Sequence, residues 1–214
     1  MNQPDLFSFF CVSQRAKQLI ELLLRSMIEV IFNINTRDII KATKLANEID
    51  FSNDANECEP IVYYSLIRLF PQLNISSNSV FIDIGCGTGR ALFVAARYRP
   101  RRVIGLELNP QVFGKLKNNI SNYRFDSKII KIINIDAAKY KFTDETIVYM
   151  FNPFGPDTLS EVLKNLQLSI QKNPRQVTIA YLNAIHADVI LSQKWLKPVP
   201  IKRPRNTLLL KSNL

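Results

Sequence analysis

Histidine and cysteine are scarce in this 214-residue sequence, which has one histidine, His186, and three cysteines, Cys11, Cys58 and Cys86. The cysteines are odd in number and widely spaced, with no Cys-x-x-Cys pair. That argues against a disulfide framework or a structural zinc, and for a reducing, cytoplasmic compartment. No metal is expected. An uninterrupted apolar run of the ~20 residues that a membrane helix needs is also missing. The acidic Asp5 and the lack of a small-residue cleavage site speak against a signal peptide. Acidic residues fall short of basic ones, 18 against 28, leaving a net charge of +10. Such a charge suits an acidic partner, whether RNA, a membrane surface or an acidic protein. The basic clusters at 97–102 and 194–205 fall at expected loops or element ends, however, and make no nucleic-acid reader motif. Glycine is sparse as well: of six in the chain, three stand together as Gly85, Gly87 and Gly89.

Around those glycines the chain is organised. Val80, Phe81, Ile82 and Ile84 are β-formers in a run broken only by Asp83, and Ala91 opens a helical stretch after the glycines. Strand, glycine turn and helix form a corner where the backbone can approach a nucleotide closely. A dinucleotide fingerprint would need its third glycine at position 90, which is Arg90, and no Gly-Lys-Ser/Thr follows to make a phosphate loop. An acid two residues ahead of the first glycine would repel a pyrophosphate. It suits a ligand carrying an ammonium and a sulfonium. Cys86 inside the loop reads as a small packing residue.

The Asp-x-Gly-x-Gly-x-Gly pattern of residues 83–89 resembles the first motif of the class I S-adenosylmethionine (SAM)-dependent methyltransferases, and the likeness extends over about residues 58–214. It implies a Rossmann-like αβα sandwich whose seven-stranded sheet is mostly parallel, with an antiparallel terminal strand and added N-terminal helices. It also implies SAM as cofactor, held by Asp83, Gly85, Cys86, Gly87 and Gly89. Glu107, at the tip of the second strand, would accept the ribose hydroxyls, and Asp136 the adenine amine. Leu108, Ala137 and Asn152 would complete the cofactor site. The run Asn152-Pro153-Phe154 resembles the Asp/Asn-Pro-Pro-Tyr/Phe motif of amino-group methyltransferases, with one proline fewer. By that likeness Asn152 accepts from a target nitrogen and Phe154 stacks on the acceptor. His186 is a candidate base or substrate contact. Small, little-characterised bacterial members with Asn-Pro-Phe here are similar but imply no substrate. Some lysine-modifying members carry Tyr-x-Pro-Ser/Thr-Pro before the first strand, where this chain has Glu59-Pro60-Ile61-Val62-Tyr63-Tyr64.

The remaining pattern predicts two parts: a helical extension over 1–57 and the methyltransferase-like domain over 58–214. In the extension, Gln14–Phe32 reads as a helix with a polar stripe at Gln14, Gln18, Glu21, Arg25 and Glu29. Its wide apolar arc (Leu19, Ile20, Leu22, Leu23, Met27, Ile28, Ile31) should pack on the domain or on a second copy, giving a homo-oligomer. A second helix is read at 37–49, a linker at 51–57 and a third helix from Pro60 to Phe70. Beyond Glu107 the spacing predicts helix 110–122, strands 128–135 and 146–151, and helix 158–171 with a Thr158-x-x-Glu161 capping box. Strand 176–182, helix 184–192 and strands 196–201 and 206–211 follow. An amine, in a protein side chain or elsewhere, is the expected acceptor. The alternatives are a nucleic-acid methyltransferase and a SAM-binding module without catalysis.

Overall fold

The computed structural model describes residues 14–36, 61–202, 204 and 206–213. The predicted helix 37–49 and the linker 51–57 lie outside these residues. Seven strands form one sheet: β1 (Val80–Ile84), β2 (Arg102–Glu107), β3 (Ile130–Asn134), β4 (Ile147–Phe151), β5 (Thr178–Leu182), β6 (Leu196–Val199) and β7 (Thr207–Ser212). Their order is β3-β2-β1-β4-β5-β7-β6; β7 runs antiparallel to both β5 and β6, and the other pairs are parallel. The order reverses between β1 and β4. There the crossovers leave to opposite sides and open a crevice above the carboxyl ends of the strands.

Among the described residues six helices accompany the sheet: α1 (Gln14–Phe32), α2 (Tyr63–Leu69), α3 (Arg90–Arg97), α4 (Pro110–Asn122), α5 (Pro156–Lys172) and α6 (Ala187–Leu191). Alternation along the strands sorts the core into two layers. Phe81, Val103, Tyr149 and Ala180 meet Leu66, Phe70, Leu92 and Leu116 on one face. Ile82, Val148, Ile179 and Leu210 meet Leu159, Val162, Leu163 and Leu166 of α5 on the other.

Several boundaries move for identifiable reasons. α5 starts at Pro156, behind Gly155, so the predicted Thr158-x-x-Glu161 box does not cap it. A proline at the first helical position has the right φ already and needs no hydrogen-bond partner. α6 is shortened to 187–191 because Asn183 adopts a left-handed φ of 47° and interrupts the chain before it.

The larger correction concerns α1. From Glu21 to Glu29 its polar stripe faces inward, not outward, while Gln18 is exposed. Glu21 accepts the backbone N–H groups of Tyr63 (2.8 Å) and Tyr64 (3.1 Å), capping α2 from another part of the chain. Glu29 accepts from the Thr36 hydroxyl at 2.6 Å. Leu24, Ile28 and Phe32 supply the packing, with the Phe32 ring edge-on to Tyr123 and Phe125. Leu19, Leu22, Leu23 and Met27, of the arc predicted to pack on the domain or on a second copy, do not pack on the domain and are exposed together with Val30. Exposed N–H groups at a helix start need acceptors, and carboxylates meet that need better than leucines do.

Candidate active site

The glycine turn leaves β1 and crosses the end of β2. Gly85, Gly87 and Gly89 all have positive φ, at 74°, 54° and 97°. Each stage of the turn is tied down. The N–H groups of Gly85 and Cys86 reach the Leu106 carbonyl at 2.9 Å, and that of Gly87 reaches Glu107 Oε2 at 2.9 Å. A side chain on Gly85 would meet Pro153, since an added Cβ would stand 2.6 Å from that proline's Cβ. The turn after β1 and the Asn152-Pro153 turn after β4 therefore touch.

Two acids share this corner. Asp83, 3% exposed, is the one polar residue of β1. Burial, and then the neighbouring Glu107, raise its carboxyl well above the ordinary range. The Glu107 carboxyl is also raised by burial, against the lowering effect of the N–H groups of Asn109, Gly87 and Leu108. No cation among the described residues pairs with either acid. Beside Asp83, in register on β4, the buried Tyr149 hydroxyl has no hydrogen-bond partner. Two buried acids beside an unmet hydroxyl make a corner that fits a cationic ligand such as SAM and opposes a pyrophosphate.

Glu107 does more than the sequence suggested. It is only 8% exposed, and its Oε1 also accepts from Asn109 N–H at 2.8 Å, so it braces the turn from below. Glu107→Ala is therefore expected to weaken SAM binding by roughly 1–3 kcal/mol, the scale of lost bonds to a charged group. It should also lower the melting temperature. Titration calorimetry beside thermal melts tests both, and unchanged SAM affinity would remove Glu107 from the cofactor site.

The other predicted residues are distributed as follows. Cys86 is buried, and an added Cβ on Gly105 would come within 2.8 Å of its sulfur, so it is a packing residue. The Leu108 carbonyl accepts from Asn134 Nδ2 at 2.9 Å. Asp136 caps a short 3-10 turn, Ala137–Lys139, by accepting from Ala138 N–H at 2.9 Å. Asn152 has a φ of 39° at the end of β4, and its Oδ1 accepts from the Tyr181 hydroxyl at 3.1 Å. The same hydroxyl accepts from the His186 backbone N–H at 3.4 Å, which brings Asn152 and His186 into one group. Phe154 is different. It is buried in the core layer under α5, so its ring packs rather than offering an open stacking face. The aromatic at the crevice is Phe151, which with Ile61, Ser65, Leu182, Asn183, Asn206 and Thr207 lines a cavity of about 340 Å³.

Three residues of this region went unread in the sequence: Tyr181, Asn119 and Arg90 as a structural group. Asn119 carried a signal, because it follows Val112 and Leu116 on the buried face of α4 and is itself buried.

Residues 81–172 match the family model described as a methyltransferase domain. A histone-lysine N-methyltransferase specific for lysine 79 of H3, from Dictyostelium discoideum, is 28% identical over 153 residues, 64% of this chain. The chain spans 8% of that relative's length. Among solved structures, a Salinibacter ruber RNA methyltransferase in complex with S-adenosyl-L-homocysteine superposes at a TM-score of 0.52 and 16% identity. The match covers 72% of this chain and 92% of that one. A precorrin-6y C5,15-methyltransferase from Geobacter metallireducens reaches 0.56 at 14% identity, covering 85% and 96%. These structures share the fold, and the sequence match falls on β1, the glycine turn and the units that follow. Residues 81–172 thus match a methyltransferase domain, set on a fold that the chain shares with the methyltransferase structures named above.

Proposed function

We propose that the chain transfers a methyl group from SAM to an amine nitrogen of a protein side chain. The observation that carries this reading is the contact of the Asn152-Pro153 turn with Gly85, which sets an oriented amide beside the cofactor turn. SAM supplies an electrophilic methyl on a sulfonium, so the protein's share is to align the partners and exclude water. Asp83 and Glu107 hold the cofactor side. Tyr181 fixes the Asn152 amide, whose oxygen is suited to accept from the attacking nitrogen as it aligns. The cavity beside Phe151 has apolar walls for an alkyl chain, with Asn183 and Asn206 joined at its rim by a 3.0 Å hydrogen bond. The lysine specificity of the Dictyostelium relative supports an amine acceptor.

Labelled SAM and cell extract, treated separately with nuclease and protease, test the reading. Protease-sensitive label that is recovered as methylated lysine supports it. Nuclease-sensitive label would overturn it in favour of nucleic acid, the reading that the net charge of +10 favours. SAM binding with no transfer to any fraction would instead mark a binding module.

Tyr181→Phe keeps the buried ring and removes the bond to Asn152 together with the longer one from the His186 N–H. It is expected to lower kcat about tenfold, in line with one lost positioning hydrogen bond. SAM affinity and melting temperature should stay near wild type. Stopped turnover assays with saturating SAM give the check, and an unchanged kcat would detach Tyr181 from catalysis.

A further inference from the structure

Arg90 follows the last glycine of the turn, yet its side chain leads away from the cofactor corner. The guanidinium is 5% exposed, and each of its three nitrogens donates a hydrogen bond. Nε donates to Thr36 Oγ1 at 2.8 Å, Nη1 to the Ile61 carbonyl at 2.7 Å and Nη2 to the Thr36 carbonyl at 3.1 Å. Glu21 of α1 lies 4.0 Å away, and the Tyr63 ring sits under the guanidinium at 4.9 Å. A second tie runs parallel to the first. Asn119 of α4 accepts from Asn35 N–H at 2.9 Å and donates to the Asn35 carbonyl at 2.8 Å, pairing with that backbone as a strand would. The same Nδ2 donates to the Thr88 carbonyl inside the turn at 3.0 Å.

We propose that Arg90 and Asn119 are positioning residues for SAM binding, and that through them residues 34–36 set the shape of the glycine turn. The inference rests on SAM binding at that turn, as described above. The peptide groups of the turn must present their polar atoms to the ligand at fixed angles. Gly87 is held from the β2 side by Glu107, and Thr88 and Arg90 are held from the other side by Asn119 and by Thr36. With one side released, three glycines leave the turn free to sample other conformations, and binding must then repay that freedom. The extension thus acts on cofactor affinity without touching the cofactor.

Thr36→Val gives the sharpest test, because it is isosteric, lies outside the turn, and removes the hydroxyl that Arg90 and Glu29 share. Calorimetry with SAM on the full chain should show Kd raised about threefold for Thr36→Val and about tenfold for Arg90→Lys and Asn119→Ala. Phe32→Leu serves as control: it loosens α1 against Tyr123 and Phe125 without a bond to the turn. It should lower the melting temperature by a similar amount while SAM Kd stays within twofold. SAM Kd within twofold of wild type for Thr36→Val and Arg90→Lys would overturn the proposal. So would an equal rise for Phe32→Leu, which would reduce the network to a source of stability. Failure of the wild type to bind SAM would instead count against the cofactor reading itself.

Discussion

Asp83→Asn is expected to weaken SAM binding by about one to two orders of magnitude while making the ligand-free protein more stable at neutral pH. The carboxyl is buried, its nearest charged neighbour is another acid, and its proton affinity is raised well above the ordinary value. A group so raised holds its proton more tightly in the folded than in the unfolded chain. Its favourable contribution is complete below the unfolded value near 4 and is lost as pH rises through the folded value. At pH 7 the wild type therefore carries a penalty that the isosteric amide lacks. On the order of 1 kcal/mol of relief would raise the melting temperature by about 2–4 °C in a chain this long. The advantage of the variant should vanish toward pH 4. SAM affinity should behave in the opposite way. The ionised acid suits the cofactor's positive charge, so wild-type binding should strengthen as pH rises over the same window and release a proton. Loss of a charge-assisted bond of about 1.5–3 kcal/mol corresponds to a ~10- to 150-fold higher Kd in Asp83→Asn. Thermal melts and calorimetry across pH, in buffers of different ionisation heat, measure both halves. Wild-type affinity in Asp83→Asn would end the ammonium-binding role. A lower melting temperature at pH 7 would show that the carboxylate is stabilising after all.

Gly85→Ala should damage turnover through the addition of a single methyl. The position has a φ of 74°, and the new Cβ would stand 2.6 Å from Pro153 Cβ. Left-handed φ alone costs a non-glycine residue roughly 1–2 kcal/mol. The clash adds to that cost, because neither a turn nor a proline ring yields easily. Relief requires the Asn152-Pro153 turn to back away from the cofactor turn, carrying Asn152 with it. A misplacement on that scale is expected to lower kcat/KM by about a hundredfold, with a melting temperature several degrees lower. Turnover within threefold of wild type would mean that the contact between the two turns is not needed for transfer.

What the sequence made legible was what depends on neighbours in the chain. The strand from Val80 to Ile84, the glycine turn and the Asn109-Pro110 helix start each announce themselves within a few residues. The capping of α4 by Asn109, which accepts from Gln111 and Val112, follows from the same local rules. Long-range chemistry was not legible in this way. Arg90 looks like a departure from a glycine pattern until its partners at Thr36 and Ile61 are seen. Glu21 and Glu29 have the spacing of a solvent stripe, and only the fold shows that backbone N–H groups of α2 and Thr36 await them. Phe154 illustrates the reverse case. The motif likeness assigned it to the acceptor, but its ring lies in the core cluster with Leu159, Val162 and Leu163 of α5.

One topological detail bears on how this chain folds as it is made. β7 is the last strand in the chain, but it lies between β5 and β6, and β6 pairs with β7 alone. During synthesis β6 emerges with no edge to join. It must wait, with Leu196 unburied, until residues 207–212 have been added and can slot in antiparallel beside β5. The sheet therefore cannot close by adding strands in the order they appear. β5 also presents an open edge throughout this interval, the state in which strand edges pair with the wrong chain. Ribosome-bound intermediates halted after β6 should be more prone to aggregate than those halted after β4 or after β7.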